Sequence, residues 1–512
     1  MPKAASMTPV RQGAHKQNSV RTLRIVAGAI VLAIVMGLLV AQVEFLALPL
    51  LAGALVVAAI VHEPRRGILL LSVLVPLEAS TRVPHHLMGI TGLNPLNLTL
   101  LATLIGLMLS AVFPGTRRAP PLKGLPLPVP LLVLMVLPMI LAAVHGSFSV
   151  ELIPNIFGRS DESSYADLPV YLRDLLQAPL LRILYGLLLG LVVRFEATAA
   201  GARPFLYGPL VGLSGLAGIF LFNAYGSGAS LQEMGSADAR DILAAAAGMH
   251  PNEISLMFNC GLAWALFTAR AESNLGRLFL WGVSLLMVIA NLLTFSRGGY
   301  FGMMVVVIAY LLHLRRLNWV LVAAAALGIG ALFLPQAVLE RVATGLTEGD
   351  INALSGGRAT LIWPLLLPVI GDHWIFGSGI ESILWSPPVR SGALFVTQPH
   401  NAYLALLLDY GVVGGAMIFS FYVWRWFDLR RLALSLEGGA NAAENELWVQ
   451  FLRATSVMVL VLLVQAVTDN RLTPTASQTV LWLAFGLAFG LRARWRDREL
   501  RAADGAASEV AT

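Results

Sequence analysis

The sequence consists largely of apolar runs, many of them long enough to cross a lipid bilayer. A membrane-spanning helix needs about 17–25 mostly apolar residues to cross ~30 Å of hydrocarbon. Candidate runs lie near residues 25–42, 45–62, 67–79, 97–113, 126–144, 180–194, 205–223, 252–269, 278–295, 299–314, 318–334, 401–424, 454–468 and 475–491. With 57% hydrophobic and only 12% charged residues, the chain is too apolar for a water-soluble globule. The sequence therefore predicts an all-α, polytopic bundle of about 12–14 transmembrane helices.

The basic residues indicate which side of the membrane each connecting segment occupies. Most of the 35 lysine and arginine residues fall in the tails 1–24 and 492–512 and in alternate connections between apolar runs. Because cytoplasmic segments carry the excess of lysine and arginine, both termini are predicted to be cytoplasmic. The run at 25–42 follows a basic tail and lacks a small-residue cleavage site, which favours a retained helix. The net charge of +6 is spread between apolar runs, so it indicates topology and no nucleic-acid partner.

Ten arginines fall on the opposite, outer side, where topology gives no reason for positive charge. They are Arg82, Arg159, Arg173, Arg182, Arg240, Arg297, Arg341, Arg358, Arg390 and Arg471. Three outer segments are also long, near 145–179, 224–251 and 335–400. The segment at 335–400 is longer than a simple connection between helices, and its apolar stretches predict short helices on the membrane surface. We expect transmembrane helices at 25–334, a large periplasmic loop at 335–400, further transmembrane helices at 401–491, and function on the outer face.

A histidine stands where the large loop meets the next apolar run, in Gln398-Pro399-His400-Asn401. A neutral imidazole has a reference pKa of about 6.5, near physiological pH, so His400 is a candidate base that takes a proton from a hydroxyl group. The alternative is that the segment only starts a helix, with Asn401 as its N-cap. Both interpretations are compatible, because a helix N-terminus also attracts phosphate oxygens.

Three of the outer arginines have the surroundings of an anion site. Arg297 precedes Gly298-Gly299 between two apolar runs, where an arginine faces a partner or a cavity, or extends to lipid headgroups. Arg240 precedes the Gly248–Asn252 entry into a run, and Arg358 follows two glycines. Each one alone is compatible with a solvated arginine. Together on one face, without a matching run of acids, they predict a diphosphate clamp.

Other polar residues near the ends of the runs are candidate supporting residues. Asn401 and Asn252 lie at the starts of runs, and Arg182 and Asp409 lie inside or at the border of runs. They are expected either to support the His400 site or to make ordinary polar contacts between helices. HExxH, GxSxG and P-loop patterns are absent, and the single cysteine, Cys260, lies in an apolar run. The sequence therefore predicts neither a metal site nor a cofactor.

Two glycine patterns and a second histidine complete the set of candidate features. Gly377-Ser378-Gly379 predicts a turn, and Gly411 with Gly414-Gly415 predicts close packing of helices. His250, two residues before Asn252, is a competing candidate for the base and ranks below His400.

Taken in order, these motifs resemble the O-antigen ligase and polymerase superfamily of membrane glycosyltransferases. The resemblance covers about residues 237–415 and rests on Arg240 with Gly248-x-x-Pro251-Asn252, Thr294-x-Ser296-Arg297-Gly298, Gly357-Arg358-x4-Trp363 with Gly377-x-Gly379, and Pro399-His400-Asn401-x-Tyr403-Leu404. It implies about a dozen transmembrane helices and a large periplasmic loop whose short helices lie over a central cavity. The spacing between Arg240 and Gly248 is longer than usual for the family.

The resemblance also implies roles for these residues. Arg240, Arg297 and Arg358 would hold the diphosphate of an undecaprenyl-diphosphate-linked glycan, and His400 would activate the hydroxyl of an acceptor sugar. The implied reaction is metal-independent glycosyl transfer with inversion, at the periplasmic side of a bacterial inner membrane, in polysaccharide or lipopolysaccharide biosynthesis. The acceptor is a lipid-linked repeat unit for a polymerase and lipid A core for a ligase. The chain length and the extra outer segment at 146–179 favour a polymerase.

A flippase or other transporter of lipid-linked oligosaccharides is the alternative from a different class, because it too can have fourteen spans. Such transporters place charged or broken-helix features near the bilayer midplane and have related halves. In this chain the unexplained charges gather at the outer border and in one loop, and no internal repeat occurs. The pattern therefore favours an enzyme.

Overall fold

The fold is an all-α bundle, as the apolar runs predict. A computed structural model describes residues 47–510 except 79, 88–89, 114–119, 154–170, 197, 227–247, 316–348, 351, 353–354, 439–441 and 469–470. Within these residues the only strands are the antiparallel pair His86–Leu87 and Ile90–Thr91. The predicted runs 25–42 and 318–334 and the candidate Arg240 lie outside the described residues.

The helices follow the predicted runs closely along the chain. Those before the large loop are α1 (Ala47–His62), α2 (Pro64–Leu74), α3 (Pro95–Val112), α4 (Val129–Ser147), α5 (Leu175–Phe195), α6 (Ala199–Gly226), α7 (Pro251–Thr268), α8 (Asn274–Leu292) and α9 (Arg297–His313). The loop contains α10 (Arg358–Leu361), α11 (Trp363–Asp372), a 3-10 turn (Ser382–Trp385) and α12 (Pro387–Arg390), and is followed by α13 (Ala402–Glu437), α14 (Ala442–Gln465) and α15 (Thr479–Val510). Among the described residues, eight helices are long and apolar enough to cross a membrane, namely α3 to α8, α13 and α14.

Helices α5 and α15 pack backbone against backbone through two pairs of glycines. Gly186 and Gly190 on α5 face Gly486 and Gly490 on α15. A Cβ atom added to Gly486 would lie 1.8 Å from the carbonyl oxygen of Gly186. Each helix thus carries a small-xxx-small motif, which allows membrane helices to approach closely. The sequence analysis predicted close packing at other glycines and missed this contact.

Helix α13 is broken at Gly411, whose φ of 62° and ψ of −169° leave the helical region. The backbone groups freed by the break pair with residues 374–379 of the large loop. Val412 N donates to Trp374 O at 2.7 Å, and Gly379 N donates to Asp409 O at 3.0 Å. A Cβ atom on Gly411 would lie 2.5 Å from the backbone of Gly377. The expected turn at 377–379 is therefore a segment docked into the break, and Gly411 serves that docking instead of helix packing.

Ion pairs join the segments that the arginine distribution assigns to one side of the membrane. The pairs are Arg65 with Glu196, Arg194 with Asp497, Arg203 with Glu272, Arg492 with Asp428, and Arg453 with Glu437. They lie at the end of the bundle where α5 and α13 finish and α15 becomes charged. We call this the arginine-rich end, and the opposite end the His400 end. That the arginine-rich end faces the cytoplasm stays a prediction.

Candidate functional site

Within the described residues, the starts of α7, α9 and α13 meet at one point of the His400 end. The rings of His250 and His400, which precede α7 and α13, have centroids 6.3 Å apart. Ser296, which precedes α9, donates from Oγ to Asn252 Oδ1 at 2.7 Å. Each helix N-terminus carries partial positive charge from the aligned peptide dipoles. Their convergence therefore makes this point favourable for an anion.

His400 has a strained backbone that its neighbours hold in place. Its φ is 51°, in the left-handed region that a non-glycine residue enters at a cost of about 1–3 kcal/mol. Trp363 Nε1 donates to the carbonyl of Pro399 at 3.1 Å, which joins α11 to the residue before His400. After it, Asn401 Oδ1 accepts from the backbone N–H groups of Tyr403 and Leu404 at 3.0 and 3.2 Å. The prediction that Asn401 caps the helix is confirmed, and the cap leaves the His400 ring to face His250.

His250 caps α7, which limits its use as a base. Its Nδ1 accepts from the backbone N–H of Asn252 at 3.2 Å, and its own N–H donates to Glu253 Oε2 at 3.1 Å. These two bonds form a capping box. Because Nδ1 is an acceptor, the neutral ring carries its proton on Nε2. The ranking of His400 above His250 as candidate base stays a prediction.

Arg297 is the first residue of α9 and follows a sharp backbone turn. Phe295, two residues earlier, is fully buried and has a φ of 50°. Ser296 caps the helix by accepting from Gly299 N at 3.0 Å. A Cβ atom on Gly298 would lie 2.2 Å from Thr468 Oγ1, so this helix start packs tightly against the segment after α14. The backbone of Arg297 therefore starts α9 at the point where the helix starts meet, held by the Ser296 cap and the Gly298 contact.

A buried network of neutral polar groups holds these helix starts together. Asn259 on α7 donates to Gly299 O at 2.8 Å and to Gln465 Oε1 at 3.2 Å, and accepts from Asn291 Nδ2 at 3.0 Å. Gln465 Nε2 in turn donates to Ser255 Oγ at 3.1 Å. The network joins α7, α8, α9 and α14. The sequence analysis singled out none of its members. A signal for two of them was the spacing of Ser255 and Asn259 from Asn252, which places these three residues on one face of a helix.

The end of α14 fixes the starts of both α7 and α13. Asn252 Nδ2 donates to Thr468 O at 3.1 Å. The backbone N–H of Ala402 donates to Ala466 O at 2.8 Å, and the Tyr403 hydroxyl donates to Leu463 O at 2.6 Å. The predicted supporting residue Asn252 thus contacts both Ser296 and the segment after α14.

Arg358 lies on the loop segment that leads to the His400 region. It begins α10 after two glycines with positive φ, Gly356 at 65° and Gly357 at 86°, and its side chain is half-buried. Helix α11 follows directly and makes the Trp363 bond to Pro399. The structure therefore joins the helix that follows Arg358 to the residue before His400. Its predicted partner Arg240 lies outside the described residues.

Asp409 anchors the docked loop segment from inside α13. Its Oδ1 accepts from the backbone N–H and the hydroxyl of Ser382, at 3.1 and 2.8 Å. The adjacent Glu381, which has a φ of 65°, forms an ion pair with Arg471. Together with Gln398 and Pro399, these acidic and basic side chains line a small cavity beside the His400 loop. Asp409 therefore acts on the loop that carries His400.

Tyr171 and Arg182 make their polar contacts at other points. The Tyr171 hydroxyl donates to Ile380 O at 2.7 Å, and burial raises the pKa of this hydroxyl above its ordinary value, so it remains a donor. Buried Arg182 Nη1 lies 2.5 Å from Oε2 of half-buried Glu78, and this pair joins α5 to the turn after α2. Its role as a supporting residue of the His400 site stays a prediction. Among the described residues, no three His, Cys, Asp or Glu side chains are grouped as metal ligands.

Comparison with known families agrees with the motifs and the fold. Residues 282–419 match a family model described as O-Antigen ligase. The matched part contains Arg297, Arg358, His400 and the docked segment at 374–379, but not Arg240. No curated protein matches the chain. The chain is a multi-pass membrane protein whose residues 282–419 are similar to the O-antigen ligase family, and this match supports the predicted resemblance to the O-antigen ligase and polymerase superfamily.

Proposed function

We propose that the protein is a glycosyltransferase that moves a glycan from undecaprenyl diphosphate to a hydroxyl of an acceptor sugar, at the periplasmic side of the inner membrane. The observation that carries this proposal is the convergence of the helix starts at His250, Arg297 and His400. The proposed reaction removes a proton from a hydroxyl and releases an anion. The candidate base suits the first step, and the guanidinium and the positive helix ends suit the second.

In the proposed reaction, His400 takes the proton of the acceptor hydroxyl as its oxygen attacks the anomeric carbon. The bond from that carbon to the diphosphate oxygen breaks on the opposite side, so the configuration inverts. The electron pair leaves with undecaprenyl diphosphate, and the proton passes from the imidazolium to water. Arg297 and Arg358, with Arg240, stabilise the charge that develops on the diphosphate by charge-assisted hydrogen bonds. The lipid tail stays among the apolar helices.

Two acceptors fit this chemistry. A polymerase transfers the glycan to another lipid-linked repeat unit, and a ligase transfers it to lipid A core. We favour the polymerase because of the chain length and the additional outer segment at 146–179. The length of the product distinguishes them, since a polymerase makes a ladder of repeats and a ligase makes one addition per acceptor.

The broken helix α13 bears on the alternative of a transporter. Discontinuous helices in transporters leave backbone groups that line a substrate path. At Gly411 the groups are instead paired with the protein's own loop, through bonds such as Val413 N to Ile375 O at 3.0 Å. The break therefore serves to attach the loop, which favours an enzyme with a fixed outer site.

The test is glycan transfer by the purified full-length protein from a polyprenyl-diphosphate oligosaccharide, with a chelator present. His400→Ala removes the base, and His400→Asn removes it while keeping a residue that tolerates positive φ. We expect both to lower the rate about 100-fold or more. Arg297→Ala should cause a loss of about 100- to 1000-fold. His373→Ala and Arg390→Ala are matched controls, exposed on the same loop, and should retain wild-type rates.

The results of these assays distinguish a transferase with His400 as its base from a site that depends on general loop charge and from a transporter. Wild-type activity in His400→Asn would remove His400 as base, and equal loss in Arg390→Ala would mean that charge on the loop matters in general. A wild-type protein that transfers no glycan with any donor and acceptor, but moves lipid-linked glycan across a vesicle membrane, would support the transporter.

A further inference from the structure

A cavity at the arginine-rich end has no part in the proposed reaction, which takes place at the opposite end. Its walls are α13, α15, the end of α5 and the connector Leu125–Pro128. The volume is about 560 Å³. This lies within the range of about 300–1,000 Å³ for sites that bind small molecules.

One face of α15 forms the longest wall of the cavity. Phe489, Arg492, Arg496 and Leu500 line it. Their spacing of three and four residues places them in one stripe along the helix. The facing connector is extended, with φ −78° and ψ 140° at Pro128. The cavity is therefore a groove between a helix face and an extended segment.

The charges around the groove leave an excess of guanidinium groups. Asp428 is shared by Arg425, at 2.5 Å, and Arg492, at 3.3 Å. Asp497 accepts two bonds from Arg194, at 2.9 and 3.1 Å. Exposed Arg496 makes no ion pair with any residue in the described part of the chain. Arginines thus outnumber carboxylates, and the net charge attracts an anion.

The other walls of the groove are apolar. Trp424 and Phe489 stack, with ring centroids 6.4 Å apart and an interplanar angle of 21°. Leu127 and Leu500 line the groove and are 43% and 56% exposed. An anion that fills this groove must also cover apolar surface.

The groove lies at the level where the apolar stretches of two helices give way to charged residues. On α13 the apolar stretch ends at Trp424 and charge begins at Arg425, and on α15 it ends at Leu491 and charge begins at Arg492. Tryptophan and arginine are enriched at this boundary between hydrocarbon and headgroups.

We propose that this groove binds the headgroup of an anionic phospholipid. The phosphate lies between Arg492 and Arg496, and the acyl chains cover Leu127 and Leu500. A soluble phosphate compound would satisfy the arginines and leave the leucines exposed, which is why we assign a lipid. The inference does not depend on the proposed function, because it uses the opposite end of the bundle.

The experiment is binding of phosphatidylglycerol to the purified full-length protein in nanodiscs and in detergent, followed by native mass spectrometry. Phosphatidylcholine is the zwitterionic comparison. We expect one tightly held phosphatidylglycerol, preferred at least about 10-fold. Each arginine near an anionic lipid contributes about a 5-fold increase in affinity. Arg496→Gln should therefore lower the affinity about 5-fold, and Arg492→Gln with Arg496→Gln about 10- to 30-fold.

Arg498→Gln with Arg501→Gln is the matched control, because both arginines are exposed on α15 outside the groove. It removes the same charge and should leave the affinity within about 2-fold. Equal loss in both double variants would overturn the proposal in favour of diffuse attraction, and so would equal binding of phosphatidylcholine. Displacement of the lipid by inorganic phosphate at similar concentration would show a soluble-anion site. If the variant with both Arg492→Gln and Arg496→Gln does not fold, the affinity of Arg496→Gln for phosphatidylglycerol is the test. This single change breaks no ion pair among the described residues, so it should not affect folding.

Discussion

The two ends of the bundle are held together by different chemistry. At the arginine-rich end, charged side chains pair across helices, as Arg194 does with Asp497. At the His400 end, the helix starts are joined by neutral groups, with Asn259 and Gln465 at the centre of the network. Neutral groups fix backbone positions without adding charge. The charge at the His400 end is therefore set by its arginines, its ion pairs and the helix N-termini, which is what an anion site requires.

The difference also predicts unequal sensitivity to mutation. Ion pairs open to solvent contribute about 0–1 kcal/mol each, because water and salt screen them. Removing one member of a buried hydrogen-bond network leaves its partners unsatisfied, at about 1–3 kcal/mol for each group. The His400 end should therefore lose stability more steeply than the arginine-rich end.

The largest effect is expected from Gly411→Ala at the His400 end. Alanine is strained at a φ of 62° and ψ of −169°, and its Cβ would lie 2.5 Å from the backbone of Gly377 and Ile375. We expect a loss of about 3 kcal/mol or more, with release of the loop from the break. Thermal unfolding in detergent and protease cleavage near 374–380 measure this.

Gly415→Ala, one turn later on α13, is the matched control. Its added Cβ would lie nearest to the flexible side chain of Leu406, at 3.3 Å, and at an ordinary contact distance of 3.7 Å from the Leu406 carbonyl oxygen. It should unfold within about 1 kcal/mol of wild type. Similar losses in the two variants would mean that any change from glycine to alanine destabilises this helix. The loss in Gly411→Ala could then not be assigned to the docked segment.

Asn259→Ala should have the next largest effect. The side chain is fully buried, and its removal takes a hydrogen-bond partner from Asn291, Gln465 and the carbonyl of Gly299. Asn291 Nδ2 and Gly299 O keep only a longer bond to each other, at 3.3 Å. We expect a loss of about 2–4 kcal/mol in unfolding free energy. Glycan transfer should fall as well, because the helix starts would no longer be held together.

Ser284→Ala provides the comparison for Asn259→Ala. Ser284 is also buried, but its hydroxyl donates only to Leu280 O within the same helix, at 2.8 Å. Its loss should cost less than about 1 kcal/mol. Equal losses of unfolding free energy in the two variants would mean that the network between helices stabilises the fold no more than an ordinary buried polar group does.

Local signals made part of the His400 end predictable from the sequence. Asn401 and Asn252 each follow a helix-starting pattern with proline, and both helices begin there. Such patterns work because a cap involves residues only two or three positions apart. The position of His400 at the junction followed from the same signal.

Contacts between distant parts of the chain were not predictable. The sequence around Gly411 suggests a residue for helix packing, because no residue near it in the sequence indicates that residues 374–379 will dock there. Asn259 and Gln465 are 206 positions apart, and each alone looks like an isolated polar residue in an apolar run. Gly186 and Gly486 have the small-xxx-small spacing, but spacing does not identify the partner helix.

Arg194→Gln tests the arginine-rich end and should have the smallest effect. Arg194 donates to both oxygens of Asp497 and to Gly124 O, at 2.9–3.1 Å, with its side chain partly exposed. We expect a loss of about 1 kcal/mol at low salt, shrinking as salt is raised, because screening weakens the wild-type pair. Unfolding measured in low and high sodium chloride tests this. The control is Arg498→Gln on α15, because Arg498 forms no ion pair with another described residue. A salt-independent loss as large as that of Asn259→Ala would show that both ends are held equally firmly, and that the contrast between charged and neutral contacts does not govern stability here.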